Sequence, residues 1–296
     1  MYRLNDRQAI VQTVAFFPPI VHDPMKFGEI AAAHAMSDLW AMGAKPLFAL
    51  NLVAFPGNLP TSMRSKILAG GQKKADEAGI PIVGERHIQG DEPKYGMAVT
   101  GVVDPRRVLT PAGARPGDVL ILTKPLGSGI ATTAIERGVA SRALARRAID
   151  VMSALNKAAG EVLADPKLKT HALTGVAGDG LLGHLWGMMK GAKTRAHLFL
   201  PFVPVIEGVP ALSADGVVPG GTKDNLQRMM KKVRFPKDFP EPIKWVLADV
   251  QTHGGLLAAV PGRTAPRALD ALAEAGVGAV AIGEVTEGRP GIEVIV

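Results

Sequence analysis

A chain of 296 residues, 47% hydrophobic and 21% charged, is long enough for two cores and has the composition of an ordinary globular protein. It has no cysteine, which excludes disulfides, thiolate metal sites and a cysteine nucleophile. The net charge of +7 suits an anionic ligand without specifying one, while two Tyr and nine Phe argue against an aromatic surface for stacking bases.

The opening MYRLNDRQAI has no signal-peptide layout and no apolar run reaches membrane-spanning length, so a cytoplasmic protein without a membrane partner is expected. Residues 7–17 read as a strand. A proline-rich turn follows, and a helix opens with Asp23 as N-cap and Pro24 in the first helical position, where a missing N–H costs nothing. Gly43 and Pro46 close it. On a helical wheel Met36, Leu39 and Trp40 form the core face, while His34 and Asp38, at i and i+4, share another side framed by Ala31 and Ala35. A strand over 47–55, a helix from Thr61 to Gly79, and strands over 80–83 and 95–103 separated by a turn over 84–94 complete an α+β domain. The segment 104–117, rich in Pro, Gly and Arg, reads as a linker.

The second domain starts with a strand over 118–124, a turn over 125–129 and a helix ending near Gly138. A helical segment covers 142–164, a short helix follows the glycine-rich turn 175–180, and 193–199 and 247–250 read as strands. The end repeats strand, helix, strand: LLAAV, APRALDALAEAG and VGAVAIGEVT.

Four turns share one chemistry. Lys124-Pro-Leu-Gly-Ser-Gly129, between a strand and a helix, would aim backbone N–H groups and the positive helix end at an anion. Gly175–Gly180, Gly220–Asn225 and Asp249–Gly255 are similarly small and polar, and together they suggest a shared polyanion site between the domains. His184 is expected to cap or pack. Seven basic residues between Lys223 and Lys244 are expected to form a solvated face, and nucleic acid is not an expected partner. Among seven histidines, His34 with Asp38 is the best pair for a metal, and Glu85 with His87 stands just after a strand.

The motifs TV-FFPPIV-DP, FG-IAAA-A-SD-AMG-KP, LTKPLGSGI, GDGLLGH, GGTKDN and QT-GGLL, in this order, resemble the selenophosphate synthetases (selenide, water dikinases). That resemblance covers essentially the whole chain. It implies the two-domain α+β fold shared with aminoimidazole ribonucleotide synthetase, here as domains 1–107 and 108–296, with a C-terminal α/β sandwich and N-terminal sheets pairing into a homodimer barrel. It also implies ATP held between the domains by magnesium, with Asp38, Lys124, Gly127, Ser128, Gly129, Thr222 and Asn225 as the matching binding residues. The family makes selenophosphate, AMP and phosphate from ATP, selenide and water.

Departures from the family pattern shape the functional expectation. The chain begins where the family's segment with a reactive Cys or selenocysteine ends. Family aspartates are replaced by Ala15, His22 and Gly175, the asparagine before the matched Asp38 by His34, and a serine by His253. Losing carboxylates from a magnesium–phosphate site weakens it. The expectation is therefore a degenerate homologue without dikinase activity, a pseudoenzyme acting as a binding or regulatory subunit, as a homodimer or paired with an intact paralogue. One alternative is a rebuilt transition-metal site of His34, His87, His253, Asp38 and Glu85. The other is the dikinase itself, completed by a missing N-terminal segment.

Overall fold

The computed structural model describes residues 1–296, which form two compact units. Unit 1 comprises Met1–Val108 with Met152–Lys157. Its elements are β1 (Tyr2–Arg3), β2 (Ala9–Phe17), α1 (Pro24–Ala41), β3 (Lys45–Ala54), α2 (Thr61–Ala78), β4 (Ile82–Ile88) and β5 (Lys94–Val103). The strands form one sheet in the order β1-β2-β5-β3-β4, with only β3 and β4 parallel.

Asp23 caps α1 as its sequence position predicts, accepting the N–H groups of Met25 (2.8 Å) and Lys26 (3.1 Å). Phe27, Met36, Leu39 and Trp40 are buried, each burial stabilising the unit by about 1.5–3 kcal/mol. Helices α1 and α2 approach closely because Gly28 and Gly70 meet; a Cβ on Gly70 would stand 2.8 Å from the backbone nitrogen of Glu29. Along the strands Val11, Ala49, Val53, Met97 and Val99 are buried on one side. On the other side Val14 and Leu50 flank Ala98 in one row and are 63% and 37% exposed.

Unit 2 comprises Leu109–Val151 and Ala158–Val296. The elements that follow β5 are β6 (Asp118–Leu122), α3 (Ser128–Glu136), α4 (Arg142–Ser153), α5 (Lys157–Leu163), β7 (Ala172–Gly175), α6 (Gly180–Ala192) and β8 (Arg195–Phe199). They continue as α7 (Val209–Ala214), α8 (Gly220–Met229), β9 (Val233–Arg234), α9 (Glu241–Ala248), β10 (Leu256–Pro261), α10 (Ala265–Glu274), β11 (Val280–Thr286) and β12 (Gly291–Ile295). The mixed sheet runs β7-β10-β6-β11-β8-β12-β9. Strand β10 is buried along its length and β6 everywhere except half-buried Val119, which is why they read as apolar runs. Leu181, Leu182, Leu185, Met188 and Met189 of α6 pack on Leu120, Leu122, Leu257 and Ala259. No helix is long and apolar enough to cross a membrane.

Three elements differ from the sequence expectation. Residues 247–250 are no strand: Leu247 and Ala248 end α9, which Pro242 helps to open, and so short a segment does not distinguish the two states. The 142–164 segment breaks between Ser153 and Lys157, where the Asn156 amide donates to Ser37 of α1 at 2.8 Å. Strand β4 runs on to Ile88 through the expected turn, because pairing with β3 extends to Ala54.

Candidate functional site

The four turns converge inside unit 2 on one carboxylate, Asp249, directly after α9. Asp249 is fully buried. Its Oδ2 accepts the backbone N–H groups of Gly129 (3.0 Å) and Ile130 (3.2 Å) in the first turn of α3, and the side-chain amide of Gln251 (3.2 Å). Its Oδ1 accepts the hydroxyl of Thr222 on α8 at 2.7 Å. Gln251 Oε1 takes the N–H groups of Gly127 (3.2 Å) and Ser128 (3.3 Å) and the Ser128 hydroxyl (3.1 Å). Gly127 turns the chain into α3 with φ +116°, and a Cβ on Gly129 would stand 2.7 Å from Asp249 Oδ1. Glycine at 129 is what admits the carboxylate.

Burial pushes the Asp249 carboxyl up to about 7, against the hydrogen bonds from Thr222, Ile130, Gly129 and Gln251. The positive end of α3 also favours the ionised form.

The remaining turn closes the same junction. Gln251 N–H donates to the Ala177 carbonyl (3.1 Å) and Val176 N–H to that of Gly255 (2.8 Å). Asn225 donates to the carbonyls of Gly178 (2.8 Å) and Ala248 (3.1 Å). His184 ties the preceding turn to α6, its Nε2 accepting the Ala177 N–H at 3.0 Å. His253 is buried with a left-handed φ of +48°, uncommon for a residue with a Cβ. Lys124 Nζ donates to the His253 carbonyl at 3.3 Å and stands 3.5 Å from its Nδ1. A Cβ on Gly255 would meet the backbone nitrogen of Lys124 at 2.5 Å, so the glycine lets these two segments of backbone pass closely.

Gly127, Ser128, Gly129, Thr222 and Asn225 are thus brought together. The groups they hold are Asp249, Gln251 and two backbone carbonyls, which stand where a phosphate was expected. The part played by Asp249 and Gln251 escaped the sequence reading; the only signal was an acid and an amide closing an apolar helix ahead of a Gly-Gly turn.

No three His, Asp or Glu side chains are grouped to hold a metal ion. In unit 1 Asp38 is exposed and accepts the Thr13 hydroxyl at 3.3 Å. His34 packs edge-on against Phe17, 5.6 Å between centroids. Glu85 pairs with His87 and is steadied by the Asn51 amide (3.2 Å), which the buried Tyr95 hydroxyl orients (2.8 Å). Burial, with the nearby Glu85 charge, pushes the Tyr95 phenol up. His253 belongs to the interior of unit 2.

The basic segment is held by its own unit. Lys223, Lys232 and Lys244 lie over Trp245, Trp186 and Phe235, while Arg228 and Arg234 pair with Asp179 and Glu293.

Residues 1–103 match the model for the AIR synthase related protein N-terminal domain, and 115–295 the corresponding C-terminal domain. A selenide, water dikinase of Myxococcus xanthus is 66% identical over 295 residues, covering 100% of this chain and 84% of the relative. That of Carboxydothermus hydrogenoformans is 45% identical over 97% of this chain and 82% of its own. Two solved structures share the fold. A hydrogenase maturation protein HypE in complex with ATP superposes with a TM-score of 0.77, at 19% identity, over 99% of this chain and 84% of that one. A thiamine-monophosphate kinase from Stenotrophomonas maltophilia gives 0.76, at 18% identity, over 97% and 85%.

The expectation of a degenerate, non-catalytic homologue is overturned by the 66% identity over the full chain to a protein named as the enzyme. That expectation summed the missing carboxylates into a lost metal site. Magnesium keeps several waters and needs only one or two carboxylates beside substrate phosphates, so absent aspartates do not add up to an absent site.

Proposed function

The chain belongs to the selenide, water dikinase family, within the AIR synthase related proteins, and on that premise we propose that it is itself a selenide, water dikinase. The observation that carries the proposal is identity of 66% over the whole chain with the Myxococcus enzyme. The reaction passes two phosphoryl groups of ATP on, one to selenide and one to water, and leaves AMP. ATP as the donor is supported by the structural neighbours described as bound to ATP (HypE) and to AMPPCP (ThiL).

Asp38 and Lys124 fit roles at such a nucleotide. Asp38 is a solvent-facing carboxylate on a rigid helix, steadied by Thr13, and suits a magnesium ion that arrives with phosphates and its own water. Lys124 brings an ammonium, a compact charge for a phosphate oxygen. The amides of Gly127, Ser128 and Gly129 and the side chains of Thr222 and Asn225 do not fit as direct phosphate ligands, because the interior of unit 2 already uses them.

We further propose a homodimer through the uncovered face of the unit 1 sheet. Val14 and Leu50 lie there beside half-buried Phe16, Phe48 and Leu52, an apolar surface that a second copy would cover. Leu50→Lys is expected to shift the protein to monomer in sedimentation; an unchanged mass would remove this face from the interface.

Phosphorus NMR of the protein with ATP, magnesium and selenide under anaerobic conditions tests the activity. Equal formation of selenophosphate and AMP is expected. ATP left unchanged, or split to ADP without selenophosphate, would contradict it.

A further inference from the structure

We propose that Asp249 is a positioning residue: a carboxylate built into the chain that fills the N-terminus of α3 in place of a ligand phosphate and thereby fixes the turns carrying Lys124 and His253. Its kinetic consequence rests on the dikinase reading; its structural consequence does not.

The first N–H groups of any helix have no partner within it, and the glycine-rich entry to α3 makes them a ready anion site. Here four successive amides, from Gly127 to Ile130, are all taken by Asp249 and Gln251. The acceptors are interior: Asp249 is fully buried and Gln251 is 4% exposed. A phosphate would have to expel a carboxylate that also holds the Thr222 hydroxyl. The charge of Asp249 is offset by the hydrogen-bond donors Thr222, Ile130, Gly129 and Gln251 and by the end of α3. The contact closes α3 onto the α9–β10 connection across 119 and 120 positions of sequence. From there two links reach the functional turns. The Ser128 hydroxyl accepts the Thr252 N–H at 3.0 Å, and next along the chain the His253 carbonyl accepts from Lys124. Removing Asp249 therefore unfastens the base on which the Lys124 ammonium is aimed, without removing a group that touches substrate.

The test is chemical rescue. Asp249→Gly leaves a carboxylate-sized space facing unpaired amides. Its Tm should fall by several degrees and recover on adding formate, with no recovery in chloride of equal ionic strength and no formate effect on the wild-type protein. A Tm that formate does not move overturns the proposal. Should Asp249→Gly fail to fold, Asp249→Asn is read instead by hydrogen exchange across residues 127–131, expected to quicken by about tenfold or more; unchanged exchange overturns the proposal. In Asp249→Asn, kcat should fall by about tenfold or more while KM for ATP stays within about threefold. A raised KM with kcat intact would instead make this turn a nucleotide contact and overturn the positioning role. A wild-type protein inactive with selenide would sink the dikinase reading and leave the formate experiment standing.

Discussion

Helices α1 and α3 solve the same problem at their N-termini in different ways. In α1 the carboxylate comes from Asp23, the residue just before the helix, and it sits at the exposed surface. In α3 it comes from Asp249, far along the chain, and it is sealed inside unit 2. The chemistry is one carboxylate accepting two first-turn amides in each case. The consequence differs. Water can replace an exposed local cap, so α1 depends on Asp23 only for a share of its own stability. Bulk water does not reach the interior one, which is fully buried, and the turns holding Thr222, Gln251 and Ser128 depend on it together.

Substitutions can break this contrast, beginning with the largest effect. Asp249→Ala leaves the amides of Gly129 and Ile130 and the Thr222 hydroxyl buried without their acceptor; at about 1 kcal/mol or more for each, a loss of at least about 3 kcal/mol is expected in urea unfolding. The pH dependence should separate the two caps next. The folded-state value of Asp249, about 7, lies above the ordinary 3.8, so the folded protein holds the proton more tightly. The stability this contributes is fully present below 3.8 and is lost as pH rises through about 7. Melting of wild type against Asp249→Asn should show the wild-type advantage shrinking across that window; a constant difference would count against it. Thr222→Val removes one donor to Asp249 and strips the Val250 N–H of its acceptor, for about 2 kcal/mol by the same measurement. Asp23→Ala should cost least, about 1 kcal/mol, with the unit 2 turns unaffected in hydrogen exchange.

The same contrast explains what the sequence disclosed. Asp23-Pro24, the Met36–Leu39–Trp40 face and the closing Gly79 are local signals, and the structure follows them. The apolar strands β6 and β10 were legible for the same reason. Helix α9 was not, because Val246, Leu247 and Ala248 fit a strand as well as a last helical turn until tertiary packing decides. In the candidate site, the four turns were legible as a set and their orientation was not. A stretch of glycines and small polar residues looks alike whether its amides face a ligand or a carboxylate from 120 positions away. His34 adds a contact that spacing does not disclose, since its ring also meets Phe17 edge-on.

Hydrogen exchange of the 127–131 segment, with and without magnesium and ATP, tests the central structural claim most directly. With Asp249 and Gln251 in place the segment should be strongly protected in the free protein and unchanged by nucleotide. Weak protection that appears only when ATP is added would show a phosphate cradle there, and would contradict the interior carboxylate as the group that fills it.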